Sequence, residues 1–317
     1  MNNFYYVLPT LIFLCVSTIS FGQFDLEYYQ LKGTVKEVKS KTYNLVLDKN
    51  QENLQKAKSH KKLKNISFND QGLEIKAIYT TERFPNSPHS REYLYNINRQ
   101  LFKEITDYDI TEMVYDEYGN LIKEIVNSTS EEEEVVFGDE ISSSTSNSSS
   151  EIYQYINSYD DHNRLIQYSK YGPGEKFNNT FSYMYDENGN QIRKELINTL
   201  GNPFATWQYE YNETNQLEKE TKKVKENNQE ITFYYQNGKI KKEILLSPYG
   251  EFIKASIHSY NELGYIIKTE ILDNASNITS TITFQYKVDQ QKNWIEQKKF
   301  IDNVAIEVTE RIFTYYN

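Results

Sequence analysis

A repeated unit runs through most of this 317-residue chain and constrains its fold more than any other feature of the sequence. Each copy is anchored by an aromatic residue that a polar residue follows. Successive anchors lie 20 to 27 residues apart, except for one gap of 44 residues. The nine anchors are Phe68-Asn69, Tyr95-Asn96, Tyr115-Asp116, Tyr159-Asp160, Tyr185-Asp186, Tyr211-Asn212, Tyr235-Gln236, Tyr260-Asn261 and Tyr286-Lys287. Self-similarity at such a period indicates a repeat architecture, in which each copy is one supersecondary unit.

The residues after each anchor have the chemistry of a tight turn. Four positions beyond the anchor, most copies carry Gly or Asn, the residues that best tolerate positive φ. These residues are Gly72, Gly119, Asn163, Gly189, Asn215 and Gly264, while Arg99 departs from the pattern and Gly238 comes one place early. Asp or Asn at the first place followed by such a residue is typical of a type I turn in a bulged hairpin loop. YDEYGN at Tyr115 and YDENGN at Tyr185 are therefore predicted to be hairpin tips.

The segments on either side of these turns are predicted to be strands. Aromatic residues recur at alternate positions before the turn, as at Tyr183 and Tyr185, and a period of two places them on one face of a strand. After the turn, aliphatic residues lie four apart, as at Ile192 and Leu196, and an even spacing again predicts one face. Nine hairpins of about 25 residues then form an elongated, twisted antiparallel meander, and its some 18 strands would extend roughly 85 Å if the sheet stayed open.

The segments outside the repeats are predicted to complete the sheet at its two ends. Residues 33–47 are interpreted as an N-terminal capping strand pair, followed by a polar, Lys-rich loop over 49–64. Residues 294–300 and 311–316 would close the other end of the array. Residues 127–150 interrupt the series with six acidic residues, nine serines and no basic residue, a composition that predicts a disordered insertion.

The N-terminus is predicted to be a signal peptide over residues 1–22. An apolar run from Phe4 to Val16 matches the central region of such a peptide, and Ser20-Phe21-Gly22 provides small residues for cleavage before Gln23. An uncleaved membrane anchor is the alternative, but Pro9 and the polar residues that follow leave the run short of the roughly 20 apolar residues of a spanning helix. Cys15, the only cysteine, lies within this segment. Cleavage would leave residues 23–317 without any cysteine chemistry.

At its anchors and turns the chain resembles the YD-repeat proteins, which are short exported relatives of RHS proteins in bacteria of the Bacteroidetes kind. The resemblance covers nearly all of residues 23–317 and is strongest at YDEYGN and YDENGN. The opening FDLEYYQLKGTVKEV and the closing ERIFTYY are also similar to the terminal segments of such proteins. The resemblance implies an exported, all-β repeat array with a periplasmic, cell-surface or extracellular location. Full RHS proteins place a toxin after a closed shell of repeats, whereas this sequence stops after its last repeat.

Composition argues against several classes of function. The net charge of -10 gives no general attraction to nucleic acid or to anionic lipid, so we expect neither a nucleic-acid partner nor stable membrane insertion after signal cleavage. The four histidines, His60, His89, His162 and His258, show no spacing typical of metal ligands or of a catalytic triad. The Asp and Asn residues of the turns are explained by turn chemistry rather than by calcium. We therefore predict no cofactor and no metal.

Glutamates that recur beside lysines after the turns are attributed to charge ladders between neighbouring strands rather than to catalysis. The glutamates are Glu124, Glu195, Glu220, Glu243 and Glu270, and the lysines are Lys123, Lys194, Lys219, Lys242 and Lys268. A glycosidase would need one carboxylate pair distinguished by burial. We accordingly predict a protein that is not an enzyme.

Aromatic side chains provide the candidate ligand contacts. Trp207 and Trp294 are the residues singled out for stacking on sugar rings, while the tyrosines are expected mainly to form the core. The main hypothesis is an exported, non-enzymatic β-repeat protein that binds or scaffolds an unknown protein or glycan partner. The alternative is a lectin-like, carbohydrate-binding surface protein that uses exposed Trp and Tyr side chains.

Overall fold

The computed structural model describes residues 25–47, 53–80, 84, 86–128, 150–225 and 229–317, and in these ranges it is all-β, as predicted. The predicted signal peptide lies outside the described residues, as does the predicted insertion between Ser128 and Ser150. The ends of that insertion are strand residues, because Asn127 pairs with Ser150. No helix within these ranges has the length and apolar character that a membrane crossing requires.

The described residues form 21 strands. They are β1 (Val35–Leu47), β2 (Leu54–Lys56), β3 (Lys62–Phe68), β4 (Glu74–Tyr79), β5 (His89–Tyr95), β6 (Leu101–Thr106), β7 (Asp109–Tyr115), β8 (Leu121–Ser128), β9 (Ser150–Tyr159), β10 (Leu165–Gly172), β11 (Lys176–Tyr185), β12 (Gln191–Ile197), β13 (Pro203–Tyr211), β14 (Leu217–Val224), β15 (Gln229–Gln236), β16 (Lys239–Leu246), β17 (Phe252–Tyr260), β18 (Ile266–Leu272), β19 (Ile278–Val288), β20 (Trp294–Ile301) and β21 (Val304–Tyr315).

The sheet closes into a 20-stranded antiparallel barrel, so the predicted open, elongated meander is wrong. Each strand from β3 to β20 pairs with the next, and β1 completes the ring by pairing with both β21 and β3. Val38 thus faces Phe313 on one side and Ile66 on the other. Closure pairs the two edges that an open sheet would leave exposed. β2 stands outside the ring and pairs with the end of β1.

The terminal segments therefore have roles other than those predicted. Residues 35–47 form one long strand that closes the ring instead of a capping strand pair. The segment predicted as a loop over 49–64 contains β2 and the start of β3. Residues 294–300 and 311–316 belong almost entirely to β20 and β21, the last of which joins the first strand instead of ending the array.

The turns at one rim of the barrel have the predicted geometry. In the β11–β12 turn the Gly189 N–H donates to the Asp186 carbonyl at 3.1 Å, and the Asp186 N–H donates to the Asn190 carbonyl at 2.9 Å. The predicted Gly and Asn residues adopt positive φ, as does Arg99 at 63°. The β15–β16 connection is a two-residue Asn237-Gly238 turn, and the last turn begins at Asp289, two residues beyond the predicted Lys287.

A β-bulge follows most of these turns and changes which face the later residues occupy. In β12 the extra residue is Ile192, since Met184 pairs with Arg193 while Tyr185 pairs with Gln191. Ile192 is 37% exposed, whereas Leu196 pairs with Phe181 on the aromatic face. Because Ile192 is itself the bulge residue, it lies outside the alternation that places Leu196 on the aromatic face, and the inference that these aliphatics share one face is wrong.

Residues 25–34 lie at the turn rim and connect separate hairpins. The Leu26 N–H donates to the Gly72 carbonyl at 3.1 Å, and the Lys32 N–H donates to Asn293 Oδ1 at 2.8 Å. Between these points Tyr29 packs against Phe68, with ring centroids 5.8 Å apart. This segment therefore ties the first hairpin to the last one next to the closing strands.

Candidate functional site

The aromatic face of the sheet is the inner wall of the barrel. Tyr183 and Met184 are successive residues of β11 and point to opposite faces, yet Tyr183 is 5% exposed and Met184 is 56% exposed. Each ring strand packs mainly against its two neighbours, so Tyr183 is covered by side chains of its own face. Side chains converge on a concave face and splay apart on a convex one. The aromatic face is therefore concave and faces the lumen.

Trp207, the first predicted ligand contact, lies on the inner wall between two lysines. In the strand register Trp207 pairs with Lys194 of β12 and with Lys222 of β14. The Lys194 and Lys222 ammonium groups lie 5.1 and 5.2 Å from the centroid of the indole ring. Such contacts are cation–π interactions. Trp207 is thus part of a cationic and aromatic wall rather than an uncovered stacking platform.

Trp294, the second predicted contact, lies under an arginine. The guanidinium carbon of Arg311, on β21, is 3.4 Å from the centroid of the Trp294 ring. Tyr286 meets the same ring at 6.1 Å in an edge-on arrangement. Arg311 Nε is buried and has no hydrogen-bond partner among the described residues. Burial lowers the pKa of Arg311 to about 10, which leaves it charged at neutral pH.

The structure does not bring the two tryptophans together. Trp207 is on β13 and Trp294 is on β20, and six strands of the ring separate them. They form two distinct centres on one inner wall, each with its own basic residues. Sequence reasoning missed Lys222 and Arg311. Lys222 lies directly opposite Trp207 on the neighbouring strand and therefore on the same face. This could be read from the sequence only if the β13–β14 register were known.

A fourth cation, Lys170, also lies on the inner wall. The ammonium of Lys170, on β10, is 4.3 Å from the ring centroid of Tyr153 and 5.3 Å from that of Tyr155. Lys170 also pairs with Glu124 at 3.4 Å, and Glu124 accepts a hydrogen bond from the Tyr155 hydroxyl at 2.5 Å. Unlike Arg311, Lys170 therefore has a carboxylate partner.

The predicted charge ladders are present in part, on the outer face. Lys219 pairs with Glu210 at 2.7 Å across β13 and β14. Lys194 does not belong to such a ladder, because it lies on the inner wall with Trp207. Glu220 and Glu243 also face inward: the Tyr235 hydroxyl donates to Glu220 at 2.9 Å, and His258 Nε2 lies 3.3 Å from Glu243.

The turn carboxylates are engaged by their own backbone. Asp186 Oδ1 accepts the Asn190 N–H at 2.8 Å, and hydrogen bonds within the turn, the largest from the Asn190 side chain, lower the pKa of Asp186. Nowhere in the described ranges do three or more His, Cys, Asp or Glu side chains gather in a way that could hold a metal ion. These oxygens accordingly serve turn geometry.

A small cavity lies within the largest aromatic cluster of the inner wall. Its volume is about 20 Å³, and its lining includes Asn120, Asn157 and Tyr183. The Tyr183 hydroxyl is buried and has no hydrogen-bond partner among the described residues. A cavity of this size holds about one water molecule, not a ligand.

Comparison with known proteins yields similarities to solved structures. No family model and no curated protein matches the chain. The crystal structure of TcdB2-TccC3 without its hypervariable C-terminal region is 11% identical over 80% of this chain, with a TM-score of 0.31. This chain spans 15% of that protein's length, and 14% of the TcdB2-TccC3-Cdc42 structure, which has a TM-score of 0.32. A porin-like protein from Bacteroides uniformis is 8% identical over 89% of this chain and 98% of its own, with a TM-score of 0.35.

Proposed function

We propose that this chain is an exported, non-enzymatic protein of the YD-repeat kind that binds its ligand on the inner wall of the barrel. The observation that carries the proposal is the composition of that wall, where Lys194, Lys222 and Arg311 lie against tryptophan rings. Cations next to large aromatic rings offer both charge and apolar area to a ligand. The regular aromatic anchors and Asx turns support the YD-repeat assignment.

The size of the barrel is consistent with a ligand inside it. Twenty strands spaced ~4.8 Å apart and tilted by ~40° form a ring about 20 Å in radius. Inward side chains fill part of this space, and barrels of 16 to 18 strands already leave an aqueous channel. A ring of this radius is therefore wide enough at its backbone to surround a ligand as well as its own inward side chains.

The outer face supports a location in water after export, whether periplasmic, cell-surface or extracellular. It carries ion pairs between neighbouring strands, including Lys103 with Glu112 at 3.2 Å and Lys287 with Glu296 at 3.0 Å. A lysine on a lipid-facing strand costs about 2–4 kcal/mol at the bilayer midplane. Repeated charges across this face are thus suited to water rather than to a lipid belt.

Two lysines of β14 allow a matched test. Lys222 faces the lumen next to Trp207, whereas Lys219 faces outward and pairs with Glu210. We expect ligands found in a thermal-shift panel of oligosaccharides and peptides to lose most of their shift in Lys222→Ala and to keep it in Lys219→Ala. Equal shifts in the two variants, or a panel without any saturable shift, would contradict binding on the inner wall.

Carbohydrate binding is the second candidate, favoured by the presence of both tryptophans on the same wall. Under this hypothesis neutral oligosaccharides alone produce the shift, and Trp207→Ala abolishes it while Lys222→Ala has a smaller effect. A peptide or protein ligand instead depends on the lysines. The ratio of the two losses therefore discriminates between the candidates.

A further inference from the structure

Arg311 is a cation on the inner wall that lacks an anionic partner within the described residues. It forms no hydrogen bond or ion pair with any of them, and its Nε is a buried donor without an acceptor. The nearby Tyr286 and Tyr265 hydroxyls donate to the carbonyls of Ile266 and Lys292, both at 2.8 Å. A buried unsatisfied donor costs about 1–3 kcal/mol, and more when it is charged. A protein tolerates this cost most readily where a ligand supplies the acceptor.

A second cation lies two strands away on the same wall. Ser40 of β1 pairs with Arg311 of β21 on one side and with Lys64 of β3 on the other. Strands spaced ~4.8 Å apart place the two basic residues about 10 Å apart at their backbones, within reach of one anionic group between their long side chains. Lys64 likewise makes no hydrogen bond or ion pair with a described residue, although its ammonium lies 4.6 Å from the ring centroid of Tyr29.

Glu74, the acidic side chain that interacts electrostatically with Lys64, already has another partner. Glu74 is 1% exposed and accepts a hydrogen bond from the Tyr29 hydroxyl. Burial raises the pKa of Glu74, which weakens it as a counter-ion. Part of the Lys64 side chain is exposed to solvent, while burial of its ammonium group lowers the pKa of Lys64. The wall around Ser40 therefore has two basic groups, neither of which forms a salt bridge with a described residue.

We infer that Arg311 and Lys64, on either side of Ser40, form a subsite for a carboxylate group of the ligand. The planar guanidinium suits bidentate carboxylate binding, and Lys64 adds a point charge from the other side. The guanidinium of Arg311 packs against the face of the Trp294 ring, which fixes its position. This inference rests on the proposed binding of a ligand on the inner wall, and it specifies that the ligand is acidic.

The two tryptophans permit a direct optical test. Trp207→Phe leaves Trp294, under Arg311, as the one tryptophan of the chain. The chain with this substitution is titrated by fluorescence and the parent chain by calorimetry, each with trigalacturonate, with hexaglutamate and with sodium sulfate, at ionic strength matched with sodium chloride. We expect a saturable change in Trp294 emission with a carboxylate probe, and at least tenfold weaker binding after Arg311→Gln or Lys64→Gln.

Two further variants separate binding from folding. Arg193→Gln is the matched control, because Arg193 is an arginine already paired with Glu195 at 2.6 Å and should leave the titration unchanged. Arg311→Lys keeps the charge and should retain part of the affinity. The urea midpoint of each variant, measured without probe, shows whether the fold is intact.

The probe that saturates the site identifies the class of ligand. Saturation by trigalacturonate but not by hexaglutamate indicates an acidic sugar, and the reverse indicates an acidic peptide. Saturation by sulfate with equal or greater affinity, no saturable change with any probe, or unchanged affinity in folded Arg311→Gln overturns the carboxylate subsite. If Lys222→Ala still abolishes binding of another ligand in that case, the proposed function stands and only the subsite fails. If the Arg311 site binds carboxylate while Lys222 has no effect on any ligand, binding on the inner wall stands and only the part of the proposal that places ligand at Trp207 fails.

Discussion

The hydroxyl of Tyr185 donates a 2.8 Å hydrogen bond to the backbone carbonyl of Leu165, which is the first residue of β10 in the preceding hairpin. The same contact recurs at a separation of 20 residues, from Tyr211 to Gln191, from Tyr260 to Ile240 and from Tyr286 to Ile266. Each accepting carbonyl lies close to a bulge, where the ladder of strand hydrogen bonds is locally disrupted. The anchor tyrosine thus joins one repeat to the next.

Loss of one such hydroxyl should weaken the barrel measurably. We expect Tyr185→Phe to lower the free energy of unfolding by about 1 kcal/mol, since it removes one hydrogen bond and leaves a carbonyl without its partner. Tyr234→Phe is the control, because Tyr234 is on the outer face and 37% exposed. Urea denaturation of both variants measures the difference, and equal midpoints would contradict the proposed link between repeats.

The unpartnered hydroxyl of Tyr183 predicts the opposite result within the same aromatic cluster. We expect Tyr183→Phe to leave stability unchanged or to raise it by up to about 1 kcal/mol, because it removes a buried hydroxyl that has no protein partner to offset its loss of hydration. Tyr155→Phe should cost about 1.5–3 kcal/mol, because the Tyr155 hydroxyl donates to the Glu124 carboxylate at 2.5 Å. Urea denaturation compares the two, and a larger loss in Tyr183→Phe would show that the hydroxyl has a partner.

Gly264 is the glycine whose replacement should be most damaging. Its φ is 90°, and an added Cβ would lie 2.4 Å from Lys239 Nζ and 3.4 Å from Lys239 Cε. The lysine head group can move away, so the remaining cost is the positive φ, which is unfavourable for alanine. We expect Gly264→Ala to lower the free energy of unfolding by about 1–2 kcal/mol. Gly172→Ala is the matched control, because Gly172 has no positive φ and its nearest contact would be 3.5 Å away. A thermal-unfolding comparison in which the two variants behave alike would refute the strain argument.

Glu74 should make stability depend on pH in the direction opposite to a normal ion-paired carboxylate. Burial raises the pKa of Glu74 in the folded state, so the folded chain holds the proton more tightly than the unfolded chain. Stability from this group is present below the unfolded pKa of about 4.3 and declines as the pH rises through the folded pKa. Because glutamine does not titrate, we expect the stability of Glu74→Gln, compared with that of the parent, to be higher at pH 7 than at pH 4.

The control for this pH effect is Glu210→Gln, because Glu210 lies on the outer face in an exposed ion pair with Lys219. Urea midpoints at pH 4 and pH 7 give the two differences. A Glu74→Gln variant whose difference from the parent is the same at both pH values would show that Glu74 is not protonated on folding.

The charge around the tryptophans should appear in fluorescence quenching. Lys194, Lys222 and Arg311 lie against the two indole rings, so iodide should be concentrated there and caesium repelled. We expect a larger Stern–Volmer constant for iodide than for caesium in the folded protein, with the difference reduced in Lys194→Met/Lys222→Met. Equal quenching by the two ions would show that the indole rings do not lie in a positively charged environment.

Local features of the fold were predictable from sequence because they depend on residues close together in the chain. Asp186 and Gly189 belong to one turn, and their hydrogen bonds and positive φ follow from residue chemistry within four positions. The alternation of Tyr183 and Tyr185 likewise indicated one face of a strand. The bulge at Ile192 was not predictable from such alternation, because a single extra residue does not interrupt the apolar pattern.

Only the tertiary structure decided that the sheet closes and what its inner wall contains. Val38 and Phe313 are paired across almost the whole length of the chain, and no local pattern specifies that two such distant strands meet. Trp207 and Trp294 were found by residue type, but their cations Lys222 and Arg311 depend on strand register and on the sense of curvature. Sequence alone determined the repeat, its turns and its all-β class, since these are local. Closure and the contacts between cations and tryptophans on the inner wall depend on strand pairings, which local patterns leave open.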